Sequence, residues 1–396
     1  MDEILLLPEI VAHINTLTDA DRQLWQEISA QKSDIENRVR SSCGETHDLM
    51  TLDLAKTPLA PHKTVQGVDG ACVIAPARSS TAFFGVVQSV AWPAPTLEGN
   101  QSHAYVGSIP HHGGIADINA GLMTMREILT AVSLARSSPD TTILFDGSRL
   151  SALIAINTFY QGLIRDDTGR GLLAMWRTAD AARSPLSPGA TLQLFESSPD
   201  LLWDFLSLPN IVGHLKYVTT NTLVKRFFPQ AVNRLGDPDM VDLLLKQGDV
   251  LQISLGAHPH LSSPWDSLHL APAEKGGYPW SDRVRDWAHL LSHDQAYRFF
   301  HIYMRLHPAP RGACKIEVNN TFLRATSEEP FPLVAWARWW HEQTASPQLV
   351  EPLLSVVVDR KVKQAVCDLP AVFQQSVWRN VAADDHFSFL SSRYRT

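Results

Sequence analysis

Two aspartates of this chain stand in the same local setting. Asp146 follows the apolar run Ile143-Leu144-Phe145 and precedes Gly147-Ser148, and Asp69 follows Gly67-Val68 and precedes Gly70. An apolar run that ends in Asp-Gly is a strand entering a turn. The same arrangement can hold a metal-binding carboxylate rigidly at the end of a buried strand, facing a cleft. If the two carboxylates meet, they could share divalent cations about 3.5–4 Å apart, one cation lowering the pKa of an attacking water and the other neutralising a leaving oxygen. Hard oxygen donors of this kind suit Mn²⁺ or Mg²⁺.

Three further carboxylates belong to the same question. Glu127 lies in a segment apolar nearly all round, with Leu122, Met125 and Leu129 on one side and Met123, Ala131 and Leu134 on the other. A buried carboxylate needs a cation, a hydrogen-bond donor or a raised pKa. It reads either as a salt bridge, to Arg126 or Arg149, or as a ligand reaching toward Asp69 and Asp146. Asp359 in "SVVVDRKV" reads as a surface charge pair or as a fourth carboxylate, with Arg360, Lys361 and Lys363 beside it for a phosphate backbone. Glu317 in "ACKIEVNN", near Arg311 and Lys315, reads as the solvated face of a strand or as a group supporting the site. The sixteen histidines include His111-His112 and His258/His260, none with metal-ligand spacing on an expected helix, and they read as loop residues. No Gly-x-Ser-x-Gly elbow surrounds Ser148, and no Walker-type loop is present, so the chain is not expected to hydrolyse ATP itself.

The elements that must position these residues follow from periodicity. "TVQGVDG", "TAFFGVVQSVAW" and "SHAYVGSI" are apolar or alternating runs separated by Pro, Gly and Ser, and they read as strands. "ADINAGLMTMREILTAVSLARSS" reads as a long helix, "TTILFDG" as a strand and "RLSALIAINTFYQGLI" as a second helix. Three strands, helix, strand, helix is the succession of a mixed α/β sheet with helices on its faces. In a ribonuclease-H-type sheet the first and fourth strands are neighbours, which would bring Asp69 to Asp146. "RFFHIYMRLH" and "ACKIEVNN" read as later strands, and "EPLLSVVVDRKVKQAV" as a last helix entered near Pro352, although Val356-Val357-Val358 would also suit a strand. "AARSPLSPG" and "LGAHPHLSSPWDSLHLAPAEKGGYPW" read as loops or insertions. Near the start, Leu24, Ile28, Ile35 and Val39 form one apolar stripe on a polar helix with Thr18 as N-cap and Asp21 closing its first turn.

Composition bounds the rest. The chain has 396 residues, 44% hydrophobic and 19% charged, as in ordinary globular proteins. No run approaches the roughly 18 apolar residues of a membrane span. "MDEILLLPEIV" carries acidic residues where an export signal carries basic ones, so a cytoplasmic protein is expected. Cys43, Cys72, Cys314 and Cys367 are too scattered for a paired-cysteine zinc site and are expected as reduced core residues. A net charge of −7 argues against tight DNA binding by this chain alone, though an acidic total does not exclude a basic groove.

The order of these motifs resembles the NurA family of DNA nucleases. Members have an apolar-Asp-Gly motif, here "GVDGA" at Asp69, and a helix glutamate shortly before an Asp-Gly-Ser motif. Here Glu127 precedes "FDGS" by nineteen residues (146 − 127). A late strand of the type Arg-x-Glu-apolar is echoed by "CKIEV", and a final helix is entered through a proline. The resemblance covers about residues 63–365. It implies a ribonuclease-H-like mixed sheet, with residues 1–60 as an N-terminal helical segment and residues 61–396 as the nuclease domain, with insertions near 165–200 and 255–285. It implies a metal-dependent DNA nuclease, exonucleolytic on ends with some single-strand endonuclease activity. Asp69, Glu127, Asp146 and Asp359 would be catalytic, the first three as metal ligands. Lys225, Arg311, Lys315, Arg360 and Lys363 would meet the DNA. It further implies a homodimer docked on a HerA-type hexameric ATPase, in DNA-end processing or anti-phage defence. Two departures stand out. Many members carry a histidine where this chain has Asp359, and the usual Ser-Lys strand is only approximated by "YVTTNTLVKRF", with Lys225 as the candidate lysine. The alternative is a non-catalytic adaptor of such an ATPase, and the presence of all three principal carboxylates weighs against it. A third, weaker reading is an unrelated α/β hydrolase of a small molecule, which would need a deep apolar pocket away from Asp69 and Asp146.

Overall fold

The apolar runs around the two Asp-Gly motifs lie side by side in one sheet. The structure is a computed structural model. It describes residues 49–53, 64–76, 80–92, 100–110, 112–215, 222–227, 236–254, 270–293, 299–307, 313–320, 322, 332–343, 351–373 and 375, and separate positions between 16 and 37. Its strands are β1 (Leu49–Thr51), β2 (Val65–Pro76), β3 (Thr81–Trp92), β4 (Ser102–Ile109), β5 (Thr142–Asp146), β6 (Ile211–Leu215), β7 (Asp249–Ser254), β8 (Phe299–Arg305) and β9 (Ala313–Asn319). They form a mixed sheet in the order β1-β7-β8-β9-β6-β5-β2-β3-β4. Strands β2, β3 and β4 run antiparallel as a meander, whereas β5 pairs in parallel with both β2 and β6. The first and fourth strands of the motif-bearing region are therefore neighbours, as the ribonuclease-H-type reading requires.

Helices cover both faces. They are α1 (Ile115–Ser137), α2 (Arg149–Ile164), α3 (Asp167–Trp176), α4 (Pro188–Glu196), α5 (Leu201–Ser207), α6 (Thr222–Phe227), α7 (Asp237–Leu244), α8 (Ser281–His293), α9 (Pro332–Gln343) and α10 (Leu353–Cys367). The run Ile143-Leu144-Phe145 shows why both faces are apolar. Ile143 and Phe145 enter the core beneath α1 and α2, while Leu144 enters the core beneath α9 and α10. Central parallel strands are buried on both sides, so they read as unbroken apolar runs rather than alternating ones. Helix α1 is apolar nearly all round because it packs against strands on one side and against α2, α4 and α5 on the others.

Several expectations are met closely, among them strands 81–92 and 102–109 and helix 149–164, whose Ser148 N-cap accepts from the backbone N–H groups of Leu150 and Ser151. The valines 356–358 are helical in α10, which Pro352 caps. The middle of the chain differs. "YVTTNTLVKRF" supplies no described strand: Thr222–Phe227 is the short helix α6, and β6 is the five-residue run Ile211–Leu215 upstream. "AARSPLSPG" is a connection as expected, a short 3-10 turn at Asp180–Ala182 and then bends and turns up to Ser187, which caps α4 with Pro188 in its first turn; helices α3 and α4 fill much of the rest of 165–200. Described positions between 16 and 37 are helical, but Thr18, Asp21, Leu24, Ile28, Ile35 and Val39 lie outside the described residues, as do residues 255–269 of the expected insertion near 255–285. Of the cysteines expected in the core, Cys314 is buried, Cys72 half-buried and Cys367 exposed, and Cys43 is outside the described residues. No helix among the described residues is long and apolar enough to cross a membrane.

Candidate metal centre

Strand pairing brings the two aspartates together. The parallel register of β2 and β5 runs through Val68 opposite Phe145, so Asp69 and Asp146 occupy the next position on adjacent strands. Alternation along β2 turns Gly67 and Asp69 to one face and Val68 and Gly70 to the other. The Gly67 face is the one that α10 covers. A Cβ on Gly67 would stand 3.0 Å from Val358 and 3.2 Å from Leu354, so the glycine lets α10 approach the strand closely. That approach delivers Asp359, the residue after Val358, to the carboxylates beneath. One ligand oxygen from each of Asp69, Asp146 and Asp359 lies within 4.8 Å of the others. Asp69 and Asp146 border a crevice also lined by Gly67, Val68, Leu144, Ser355 and Val358.

Three carboxylates from three elements form an oxygen-only donor set, the chemistry that magnesium and manganese prefer. A cation with ligands at about 2.1 Å spans about 4.2 Å across. Small side-chain rotations close a spread of 4.8 Å, so the residues fit the group. The Asp69 Oδ1 also accepts from the Gly70 backbone N–H at 2.8 Å, which fixes its rotamer. Lys363 approaches both oxygens of Asp359, at 2.8 and 2.9 Å, one helical turn further on.

Glu127 sits on the other face. It is buried on α1, and a Cβ on Gly70 would lie 2.7 Å from its Oε1 and 2.8 Å from Met123. Glycine at position 70 therefore leaves the space that the glutamate carboxylate takes, across β2 from Asp69. Among the described residues Glu127 is outside the three-carboxylate group. Both arginines considered as its partners have other contacts: Arg126 donates to Thr191 and to the carbonyl of Pro185, and Arg149 donates to the carbonyl of Leu206. Burial, together with the Glu127 charge, pushes the neighbouring Cys72 thiol up to about 11.

The turn after Asp146 is held from two sides. Gly147 has φ +112°, a conformation that favours glycine, and its N–H donates to the carbonyl of His214 at 2.7 Å. On the face away from the cluster, Glu317 of β9 accepts from the Ser148 hydroxyl at 2.9 Å and from the Arg149 backbone N–H at 2.8 Å. Glu317 is 1% exposed rather than on a solvated strand face. Burial alone would raise its carboxyl, but His301, Arg149 and Ser148 outweigh that and hold it below the ordinary value. Sequence reasoning missed His214, which pairs in register with Asp146 and lies 3.3 Å from the Ser355 hydroxyl. The five-residue strand that carries it gave no periodic signal to find it by.

The basic residues divide. Arg360 and Lys363 are exposed on α10 beside Asp359, with Lys361. Lys225 is exposed but stands on α6 rather than on a strand. Lys315 is wholly buried, 3.8 Å from Asp237 and over the ring of Tyr303, and burial pulls its ammonium down to about 8 against the charges of Asp237 and Glu317. This places Lys315 inside the protein rather than on a surface that DNA could touch. Arg311, His111, His258 and His260 lie outside the described residues, and His112 pairs with Asp166 at 3.3 Å.

No protein-family model and no curated protein matches the chain in sequence. Among solved structures, the NurA nuclease from Sulfolobus solfataricus matches over 93% of this chain and 97% of its own, with a TM-score of 0.55 at 12% identity. A second NurA structure matches over 93% of this chain and 98% of its own, with a TM-score of 0.50 at 10% identity. With its motif-bearing strands paired in this order and helices on both faces, the chain has the fold of the NurA nucleases.

Proposed function

We propose that the chain is a divalent-cation-dependent DNA nuclease. The observation that carries this reading is the approach of Asp69, Asp146 and Asp359, from two strands and a helix, to within 4.8 Å of one another. The likeness to structures named NurA nuclease supports it at the level of the fold. In this reading the three aspartates hold Mn²⁺ or Mg²⁺, and Glu127, behind Gly70, is the further carboxylate available to a second cation. Such cations supply an activated water and charge neutralisation at phosphorus. Arg360 and Lys363, on the exposed side of α10, position the phosphate backbone.

Finer features follow the same proposal. The chain acts as an exonuclease on DNA ends, with single-strand endonuclease activity. It works as a homodimer with a HerA-type hexameric ATPase, in end processing or anti-phage defence. A motor that grips the DNA is consistent with a nuclease whose own net charge is −7.

The test is cleavage of end-labelled double- and single-stranded DNA with Mn²⁺, with Mg²⁺ or with chelator, by wild type, Asp69→Asn and Asp146→Asn. Cation-dependent cleavage by wild type that either substitution abolishes supports the reading. Cleavage that survives both substitutions leaves the aspartates with a structural role only. A folded wild type without cleavage, alone or with its ATPase, is the adaptor instead.

A further inference from the structure

The sheet separates Asp146 from a second set of charges that nonetheless controls where it stands. Asp146, His214 and Ile316 occupy successive register positions across β5, β6 and β9 and share the face under α9 and α10. One position back, Phe145, Gly213 and Glu317 share the opposite face. A Cβ on Gly213 would stand 2.8 Å from the carbonyl oxygen of Gly147 and 3.3 Å from Glu317. The glycine therefore opens a passage between the turn that follows Asp146 and the carboxylate of a strand two places away.

Glu317 uses that passage. Its Oε1 accepts from the N–H of Arg149, the first residue of α2, and its Oε2 accepts from the hydroxyl of Ser148, the N-cap. A carboxylate at a helix N-terminus satisfies donors that have no partner within the helix, and it faces the positive end of the helix dipole. Here the cap comes from a distant strand rather than from the helix's own sequence. Glu317 is fixed in turn by buried groups around it, with His301 Nε2 at 3.4 Å and the charges of Arg149 and Lys315 nearby. Arg149 is itself wholly buried, donating to the carbonyl of Leu206 and lying over the ring of Phe299. The segment Asp146-Gly147-Ser148-Arg149 is thus held at one end by the β5 ladder and at the other by Glu317.

We propose that Glu317 is a positioning residue for the cation site: by capping α2 through Ser148 and Arg149, it sets the orientation of Asp146 from the far side of the sheet. Glu317 does not touch the cation. This inference rests on the proposed cation site, and it goes beyond it by assigning to β9 control of a ligand on β5. Groups that orient metal ligands typically change metal affinity about 10–100-fold when removed.

Direct Mn²⁺ binding, followed by electron paramagnetic resonance of the free ion, tests this without DNA or catalysis. It is measured on wild type, Glu317→Gln and Ser148→Ala, each checked for folding by circular dichroism and thermal melting. Glu317→Gln keeps the shape and one acceptor but loses the charge, and Ser148→Ala removes the hydroxyl from the other side. The expected result is Mn²⁺ affinity reduced on the order of tenfold or more in both folded variants. Folded variants that bind Mn²⁺ like wild type, with a lowered melting temperature only, overturn the proposal and leave Glu317 a stabilising cap. If Glu317→Gln does not fold, Ser148→Ala alone decides between these outcomes. Wild type that binds no Mn²⁺ overturns the cation site itself, and the two failures are therefore distinguishable.

Discussion

Asp69 and Asp146 stand at the same level of the sheet, one position beyond the paired residues Val68 and Phe145; Asp146 ends β5, whereas β2 runs on past Asp69-Gly70 to Pro76 instead of turning there. Parallel pairing leaves no freedom in this relationship, because a one-residue slip would turn either carboxylate to the opposite face. With Asp359 brought down by α10, three like charges share one small volume, and the consequences are measurable.

Carboxylates gathered this closely repel one another until a cation arrives. Asp146→Asn is expected to leave the cation-free protein at least as stable as wild type, as substitutions at strained functional sites often do. It should also abolish the rise in melting temperature that Mn²⁺ gives wild type. Ligand at one hundred times its dissociation constant stabilises by about 2.7 kcal/mol, enough for a rise of a few degrees. Thermal melts with and without 1–100-fold excess Mn²⁺, in both proteins, check this. An equal shift in wild type and variant would remove Asp146 from the site.

Gly70 keeps Glu127 in place by having no side chain. Gly70→Ala would set a methyl 2.7 Å from Glu127 Oε1 and 2.8 Å from Met123 Cγ. Overpacking of this kind typically costs about 1–3 kcal/mol. Chemical denaturation should show that loss, and Gly70→Ala combined with Glu127→Ala should recover part of it. Equal stability of wild type and Gly70→Ala would mean that α1 yields without cost.

Arg360 is exposed on α10 next to Asp359 and is proposed to meet phosphate. Arg360→Ala should weaken DNA binding to a similar degree for every sequence and lower the slope of log affinity against log salt by about 1. Fluorescence anisotropy across a salt series, with Ca²⁺ replacing the catalytic cation, reads this out. An unchanged slope would take Arg360 off the DNA path.

Glu317 carries a pH signature. Its carboxyl is held below the ordinary value in the folded chain, so the stabilisation it gives is fully present above the unfolded carboxyl pKa of about 4.3. It is lost as pH falls through the lower folded value. The stability gap between wild type and Glu317→Gln should therefore be widest above about pH 5 and close toward acid. Denaturant titrations from pH 3 to 7 test the direction. A gap that widens toward acid would mean that the folded chain raises this carboxyl instead.

The residues themselves determined much of this protein. Apolar runs bounded by glycine, proline and serine fixed strands 81–92 and 102–109, and the Ser148 cap with its apolar sequel fixed helix 149–164, because local sterics and capping act over a few residues. The repeated Asp-Gly setting singled out Asp69 and Asp146, and the aspartate after Val356-Val357-Val358 was legible as a candidate. Only the tertiary structure decided which carboxylates meet. Asp69 and Asp359 are 290 residues apart (359 − 69) and come together because Gly67 admits Val358 against the strand, a long-range packing fact without local signature. The same holds for the burial of Lys315 and Glu317, whose alternation in β9 looked like a wet strand face. Helix α2 and Asp237 enclose that face, and burial is a property of what packs against a strand rather than of the strand.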